Sequence, residues 1–354
     1  MKVLSNKIEN IVEEQLYGLQ SSNSDIEVRF DPNFIIRKKS KNKTKVILIS
    51  GGGSGHEPLH TGFVGYGMLD GACPGGVFSS PSPIQIFECA KKLNNGCGII
   101  FIVKNYAGDI MNFQMATEML SLEGIKSQHL VVDDDIATAI GAPTNQRRGI
   151  AATVIVEKII GAAAELNYSF EECLALGKKI ITGARSFGVA LSACTMYTTG
   201  ESNFKLEENK IELGVGIHGE SGIEKVDLMP VDEITDVLIT KILSDKDYKR
   251  TFNSWSFKAN KWIGNSLISK KFKENDEFII LVNGLGGTPL SELYLVYRKL
   301  NEICKKKHII IKRNLIGSYA TSLDTKGFSI SLIKSDDEII KLWDKKVKTI
   351  GLNW

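Results

Sequence analysis

A histidine closes an unusually glycine-rich stretch that comes directly after an apolar, β-branched run. The stretch over residues 50–58 reads Ser-Gly-Gly-Gly-Ser-Gly-His-Glu-Pro and places His56 near its end. Glycines let a ligand approach main-chain N–H groups closely, and an open α/β sheet usually binds ligands at the carboxyl ends of its strands. A tight turn needs fewer than four glycines in five residues. The pattern therefore favours a small-ligand site at His56.

An amine and a carboxylate follow the next apolar run, which covers residues 98–103. Lys104 comes directly after this run, and Asp109 lies one residue past a glycine. A carboxylate placed there can accept a proton from a hydroxyl group, and a lysine can neutralise negative charge that develops nearby. Aspartate is also a common N-cap of a following helix. The sequence alone leaves both interpretations of Asp109 open.

A second histidine, His218, ends an apolar strand predicted over residues 212–218. Gly219 follows it and leaves the imidazole uncrowded, as attack or hydrogen bonding would require. Three acids also end a predicted strand, namely Asp133, Asp134 and Asp135. Side chains alternate along an extended strand, so three adjacent carboxylates cannot all face one magnesium ion. We predict a solvated strand end there, and no metal site.

The glycine stretches match neither common nucleotide-binding motif. A P-loop needs Lys and Ser or Thr after its last glycine, and no lysine follows Gly55. The dinucleotide spacing Gly-x-Gly-x-x-Gly fails because Pro58 occupies its last position. The stretch over residues 284–287 fails both patterns as well. The sequence thus predicts no nucleotide site on this chain.

Alternating strands and helices must position these residues. Strands are predicted over residues 45–50, 98–103, 129–132, 188–194, 212–218, 278–282, 308–313 and 328–333. Helices are predicted over residues 3–19, 84–93, 110–122, 149–166, 169–182, 230–244 and from about 290 to 304. The alternation is typical of a doubly wound sheet, and 354 residues suggest two domains. We predict two α/β domains: residues 1–185 with a doubly wound, largely parallel sheet, and residues 186–354 with a smaller mixed sheet.

Two segments carry no periodic pattern. Residues 21–45 are polar and charged, so we predict a solvated loop whose basic run over 37–43 is not a phosphate site. Residues 61–76 are rich in glycine and predict an irregular segment that lines a cleft.

The composition excludes several classes of protein. An apolar fraction of 43% and a charged fraction of 24% are those of a soluble globular protein. The net charge of +3 is small and dispersed, which argues against nucleic acid or a membrane surface as partner. No apolar run approaches the roughly 20 residues of a membrane-spanning helix, and residues 1–20 do not resemble a signal peptide. Six cysteines without C-x-x-C spacing predict free thiols and a cytoplasmic protein.

Seven separated motifs run through the chain in order. They are Ser-Gly-Gly-Gly-Ser-Gly-His-Glu-Pro (50–58), Lys-Asn-Tyr-x-Gly-Asp (104–109), Val-Val-Asp-Asp-Asp (131–135), Arg-Arg-Gly (147–149), Gly-Ile-His-Gly-Glu (216–220), Gly-x-Thr-Pro-Leu-Ser-Glu-Leu-Tyr (286–294) and Thr-Ser-Leu-Asp (321–324). From end to end the chain resembles the dihydroxyacetone kinase family. The resemblance is to the substrate-binding subunit of the bacterial, phosphotransferase-dependent type.

The resemblance implies a role for each candidate residue. The histidine matching His218 adds through a ring nitrogen to the ketone of dihydroxyacetone, giving a covalent hemiaminal that glycerol cannot form. The positions matching His56 and Asp109 then activate and orient the terminal hydroxyl for phosphoryl transfer. The residues implied to hold the substrate's oxygens are Gly53, Ser54, Gly55 and Lys104.

The resemblance also implies partners. In the family a helical domain binds nucleotide and magnesium, and nothing after residue 335 matches it. We therefore expect no cofactor on this chain, and ADP or ATP with magnesium on a partner subunit that a phosphotransferase-linked protein rephosphorylates. A homodimer is expected. Two departures from the family pattern, Gln146 for glycine and Ser221 for proline, are expected to affect docking of the partner rather than the chemistry.

A second hypothesis belongs to a different functional class. The family includes a kinase-like coactivator that binds dihydroxyacetone covalently and acts on a transcription regulator without phosphorylating anything. Such a protein can keep the substrate histidines, so the sequence does not distinguish it from the enzyme subunit.

Overall fold

Two six-stranded sheets and one separate hairpin make up the β-structure of the computed structural model, which describes residues 3–38, 44–139 and 147–354. The first sheet has the order β1-β2-β4-β3-β5-β6. Its strands are β1 (Ile26–Phe30), β2 (Asn33–Arg37), β3 (Ile47–Ser54), β4 (Gly71–Val77), β5 (Ile99–Lys104) and β6 (Ser127–Val132). β3 pairs in parallel with β4 and β5, and β5 with β6, whereas β2 pairs antiparallel with β1 and β4. The predicted largely parallel sheet is confirmed.

The second sheet is mixed, as predicted. Its order is β13-β12-β14-β7-β8-β9, and only β12 and β13 are parallel among these pairs. Its strands are β7 (Ala184–Ala190), β8 (Lys210–Leu213), β9 (Glu224–Asp227), β12 (Glu277–Gly284), β13 (Ile310–Gly317) and β14 (Gly327–Lys334). The division into domains after residue 185 stays a prediction, and the second sheet starts at Ala184.

Eight α-helices cover these sheets in the described part of the chain. They are α1 (Ile11–Ser22), α2 (Pro83–Leu93), α3 (Ala107–Leu122), α4 (Ala152–Glu165), α5 (Phe170–Thr182), α6 (Val231–Ser244), α7 (Leu290–Lys306) and α8 (Asp337–Trp343). α2 and α3 pack on the outer face of the first sheet, and α6 and α7 on the outer face of the second. α4 and α5 lie between the sheets, where α4 contacts β5, β7 and β14. Burial on all sides explains why α4 is almost entirely apolar. None of the described helices has the length and apolar character needed to cross a membrane.

Local sequence signals fix the starts of two helices. Ser169 accepts a hydrogen bond from the main-chain N–H of Glu172, whose carboxylate accepts one from the N–H of Ser169. Ser82 and Gln85 form the same reciprocal arrangement at the start of α2. Such capping boxes satisfy N–H groups that a helix leaves unpaired at its first turn. They explain why the helices predicted from residues 84 and 169 begin where expected.

Both segments predicted to be irregular contain strands. Residues 21–45 hold β1 and β2, which form a hairpin, and Arg37 is buried against Glu165 rather than solvated. Residues 61–76 hold most of β4. A Cβ on Gly71 would lie 2.9 Å from the Cys89 sulfur, so glycine lets this strand pack closely beneath α2. Lys39 to Lys43 and Gln146 lie outside the described residues.

A separate hairpin forms a third unit that the sequence pattern did not predict. It consists of β10 (Tyr248–Ser256) and β11 (Lys261–Ser269), which pair antiparallel along their full length. β11 is exposed at most positions, so it lacks the alternation of buried and exposed residues that identifies a half-buried strand.

Candidate active site

The glycine run belongs to strand β3, which continues to Ser54, so the predicted end of this strand at residue 50 and a glycine loop after it were wrong. Gly51 and Gly52 pair with Cys73 and Pro74 of β4. A Cβ on Gly52 would lie 2.2 Å from the Nζ atom of Lys104. A strand without side chains can therefore continue to the end of the sheet while other groups press directly on its main chain.

Gly53 is the most closely confined of the glycines predicted to bind substrate. A Cβ there would lie 2.7 Å from the main-chain nitrogen of Ser79 and 2.8 Å from the Cα atom of Phe78. We expect Gly53→Ala to lower the free energy of unfolding by about 1–3 kcal/mol, since rigid main chain must move to admit the methyl group.

The matched control is Gly76→Ala, because a Cβ on Gly76 meets no atom closer than 3.6 Å. Urea unfolding of both variants measures the difference. Equal losses of stability in the two variants would contradict the close approach at Gly53.

Ser54 and Gly55 lie at the end of β3, where the chain meets residues that follow strand β13 of the second sheet. The Ser54 hydroxyl donates to the carbonyl oxygen of Gly75 at 2.7 Å. Gly55 has φ +101°, a left-handed conformation that favours glycine. Its carbonyl oxygen accepts from the N–H of Leu323 at 3.0 Å. Residues after β13 thus hold the segment that carries His56.

His56 and His218 meet through their ring nitrogens. Their Nε2 atoms lie 3.2 Å apart, and the ring centroids are 4.4 Å apart. The Nδ1 atom of His56 lies 2.9 Å from the carbonyl oxygen of Thr321, which can only accept. His56 therefore carries its proton on Nδ1, and its Nε2 accepts the Nε2–H of His218.

Both histidines are neutral at pH 7. Burial lowers the pKa of His56 to about 3, with a smaller lowering from Lys104 that the Thr321 carbonyl opposes. Burial likewise lowers the pKa of His218 well below its ordinary value, and the charge of Lys104 acts in the same direction. A neutral imidazole can act as a nucleophile, whereas an imidazolium cannot.

His218 lies on a loop, five residues after β8 ends at Leu213, so its predicted place in a strand was wrong. One guanidinium holds both ends of this loop. Arg148 donates to the carbonyl oxygen of Gly214 at 2.7 Å and to the carboxylate of Glu220 at 3.1 Å. Glu220 in turn accepts the main-chain N–H of His218 at 2.7 Å. The loop is thereby fixed although it is irregular.

Two aromatic rings that the sequence reasoning did not select surround the histidine pair. The Tyr106 ring lies 4.1 Å from that of His218, and the Phe78 ring stacks on His56 at 5.2 Å. Tyr106 stands inside the motif over residues 104–109, which was the available signal. Phe78, which has φ 53°, directly follows β4, and the local sequence gave no signal that it belongs to the site.

Asp109 lies in the first turn of α3, fully buried beside Lys104. The N-cap of this helix is Tyr106, so Asp109 does not cap it. The Lys104 Nζ lies 3.7 Å from Oδ2 of Asp109. Within the described residues, neither carboxylate oxygen of Asp109 has a hydrogen-bond partner. A buried carboxylate with free lone pairs is suited to accept a hydroxyl proton.

Lys104 also belongs to a buried polar chain that the sequence reasoning missed. Its Nζ lies 2.8 Å from Nε2 of His60, and Nδ1 of His60 lies 2.6 Å from Oε1 of Glu157. The Ser50 hydroxyl lies 2.8 Å from the same Nδ1 and donates to the carbonyl oxygen of Ile102. A carboxylate in the middle of the apolar helix α4 was the signal for Glu157.

The three successive acids are buried, which corrects the prediction of a solvated strand end. Their partners are Arg250 for Asp133, the main-chain N–H groups of Ile150 and Ala152 for Asp134, and Arg148 for Asp135. Arginine residues distant in sequence satisfy two of them, so their burial could not be seen locally. Over residues 3–38, 44–139 and 147–354, no cluster of His, Cys, Asp and Glu could hold a metal ion.

A family model described as the Dak1 domain matches residues 17–351. The chain belongs to the Dak1 family. This confirms the resemblance found in the seven motifs. The chain is 45% identical to the PEP-dependent dihydroxyacetone kinase, dihydroxyacetone-binding subunit DhaK, of Escherichia coli K12, over 100% of this chain and 99% of that protein.

Two solved structures share the Dak1 fold with this chain. The dihydroxyacetone kinase of C. freundii, in its native form, has a TM-score of 0.85 and 29% identity, covering 99% of this chain and 60% of that chain. The dihydroxyacetone kinase operon co-activator Dha-DhaQ has a TM-score of 0.84 and 29% identity, covering 98% of each chain. The Dak1 fold is thus found both in a kinase and in a co-activator.

Proposed function

We propose that this chain is the dihydroxyacetone-binding subunit of a phosphotransferase-dependent dihydroxyacetone kinase. The observation that carries the proposal is the neutral His218 facing His56 in a buried site. Asp109 and Lys104 supply a carboxylate and an amine in that site. The identity to the subunit of E. coli supports the same conclusion.

The first step is the addition of His218 to the ketone of dihydroxyacetone. Attack requires the tautomer of His218 whose ring proton is on Nδ1, because only an unprotonated Nε2 has a lone pair to give, and the entering triose replaces the contact with His56. The Nε2 lone pair forms a bond to the carbonyl carbon while the π electrons move to oxygen. The ring then loses its Nδ1 proton and the oxyanion gains one and becomes a hydroxyl, while His56 stays neutral because its pKa is about 3. No atom leaves, and the product is a hemiaminal.

The second step is phosphoryl transfer to a terminal hydroxyl of the bound triose. Asp109 accepts the hydroxyl proton as the oxygen attacks the phosphorus of ATP, and the bond from phosphorus to ADP breaks. His56 orients the hydroxyl, and Lys104 stabilises negative charge. The remaining substrate-binding groups are Gly53, Ser54 and Gly55. The product is dihydroxyacetone phosphate.

A partner subunit supplies the nucleotide in this proposal. ADP or ATP with magnesium is bound there and rephosphorylated by a phosphotransferase-linked protein, while this chain holds only the triose. We further propose a homodimer in the cytoplasm, where its six free cysteines stay reduced.

Reconstitution with a nucleotide-loaded partner subunit tests the proposed activity. We expect dihydroxyacetone phosphate to accumulate only when this chain, the partner and dihydroxyacetone are all present. If the triose adds to the protein but is never phosphorylated, the kinase assignment is wrong.

That outcome would favour the second candidate, a dihydroxyacetone-binding co-activator of transcription. The likeness to the solved co-activator supports it, since that structure covers nearly the whole chain. A transcription regulator that binds this chain in a triose-dependent way would then be the expected partner.

A further inference from the structure

We propose that His60 and Glu157 are positioning residues that hold the Lys104 ammonium beside Asp109 and keep it charged. The proposal deepens the proposed function and rests on it. Neither residue was among the candidates from the sequence. They act through Lys104 and are not themselves placed on the substrate.

The geometry ties three elements together. Lys104 ends β5, His60 lies in the segment after β3, and Glu157 lies in the middle of α4. The two contacts, of 2.8 Å and 2.6 Å, use both ring nitrogens of His60. All three side chains are buried, so water cannot replace a missing partner.

The direction of the hydrogen bonds follows from the ammonium. An ammonium has donors only, so Nε2 of His60 accepts from Lys104, and Nδ1 must carry the ring proton. Ser50 donates its one proton to Ile102, so its oxygen can only accept at His60. The Nδ1–H is therefore shared between Ser50 and Glu157. This arrangement fixes the tautomer that presents a lone pair to Lys104.

Charge makes Glu157 more than a structural acceptor. Burial lowers the pKa of Lys104, and the carboxylates of Asp109 and Glu157 oppose this lowering. Burial raises the pKa of Glu157 to about 8, although Lys104 opposes this rise, so the carboxylate brings its full charge to Lys104 only at alkaline pH. The titratable groups that face Lys104 are thus Asp109, Glu157, His60, His56 and His218. Of the two carboxylates, only Glu157 is free of a role in the chemistry.

Glu157→Gln is the test because an amide oxygen can still accept from Nδ1–H but brings no charge. At about pH 9, where Glu157 is ionised, we expect kcat to fall about 10-fold or more, with KM within about threefold, because less Lys104 is charged. The alkaline limb of the pH profile of kcat should move to lower pH, since loss of the anion lowers the pKa of Lys104.

The matched control is Glu165→Gln at the C-terminal end of α4. Glu165 is also buried and ion-paired, with Arg37 and Lys45, but it is not part of the Lys104 chain. We expect this variant to lose stability while its kcat and pH profile stay those of the wild type. An unchanged pH profile in Glu157→Gln, or the same shift in both variants, overturns the proposal.

A second measurement does not depend on phosphorylation. In protein labelled with ¹³C-lysine, the Cε signal of Lys104, assigned by its loss in Lys104→Met, reports ionisation of the amine directly. We expect a lower midpoint in Glu157→Gln than in the wild type or in Glu165→Gln. If no partner supports turnover, the proposed kinase function fails while this titration still decides the role of Glu157. Identical midpoints overturn that role.

Discussion

His218→Ala should abolish the covalent complex with dihydroxyacetone. In native mass spectrometry we expect the wild-type chain to gain the full mass of one triose, because hemiaminal formation expels nothing. The variant should show no gain at all, since alanine has no nucleophile. We expect kcat/KM in the reconstituted assay to fall at least about 100-fold, as when a covalent residue is removed.

The mass itself separates this chemistry from the nearest alternative. Lys104 lies close enough to influence His218 electrostatically, and a lysine adds to a ketone with loss of water to give an imine. A gain smaller by one water, or a full gain that persists in His218→Ala, would contradict the assignment. Cys194→Ala is a suitable control, because it removes a buried side chain near the His218 loop without a proposed role.

Asp109→Asn should separate binding from turnover. The amide has nearly the shape of the carboxylate but cannot take the hydroxyl proton, so we expect kcat to fall about 100-fold or more. The adduct at His218 should form as in the wild type, because Asp109 takes no part in the addition. Rates come from the reconstituted assay and adduct mass from native mass spectrometry.

A structural role for Asp109 would give a different pattern. If the carboxylate only balanced the charge of Lys104, kcat would stay within a few-fold of the wild type while the stability changed. If both adduct and turnover were lost together, Asp109 would be part of the binding step instead.

The sheets could be predicted from the sequence where burial produces continuous apolar runs. The runs before Lys104 and Asn283 are buried on both faces, and both were predicted as strands within one or two residues. β4 and β11 were missed, because glycine packing in one and exposure in the other erase the apolar pattern. The hydrophobic pattern of a segment does not identify it as a strand when contacts with other elements, and not its own apolar side chains, fix its position.

The residues of the candidate site were likewise predicted only where the local sequence marked them. His56, Asp109 and His218 were found because each follows a glycine or an apolar run. His60 was missed, because only folding brings it to Lys104. Asp133 was taken as solvated because Arg250, its partner, is distant in the chain. The local sequence was enough to select candidate residues, but which residues contact each other depends on the tertiary structure.

The bond from His56 to the Thr321 carbonyl has a consequence for how the protein responds to its ligand. His56 follows the last strand residue of β3 in the first sheet, whereas Thr321 and His218 follow strands of the second. In the proposed complex, a triose bound to His218 beside His56 would therefore connect the two sheets. A ligand that binds only the folded state raises the free energy of unfolding. The protein should therefore resist unfolding and proteolysis more strongly when dihydroxyacetone is abundant.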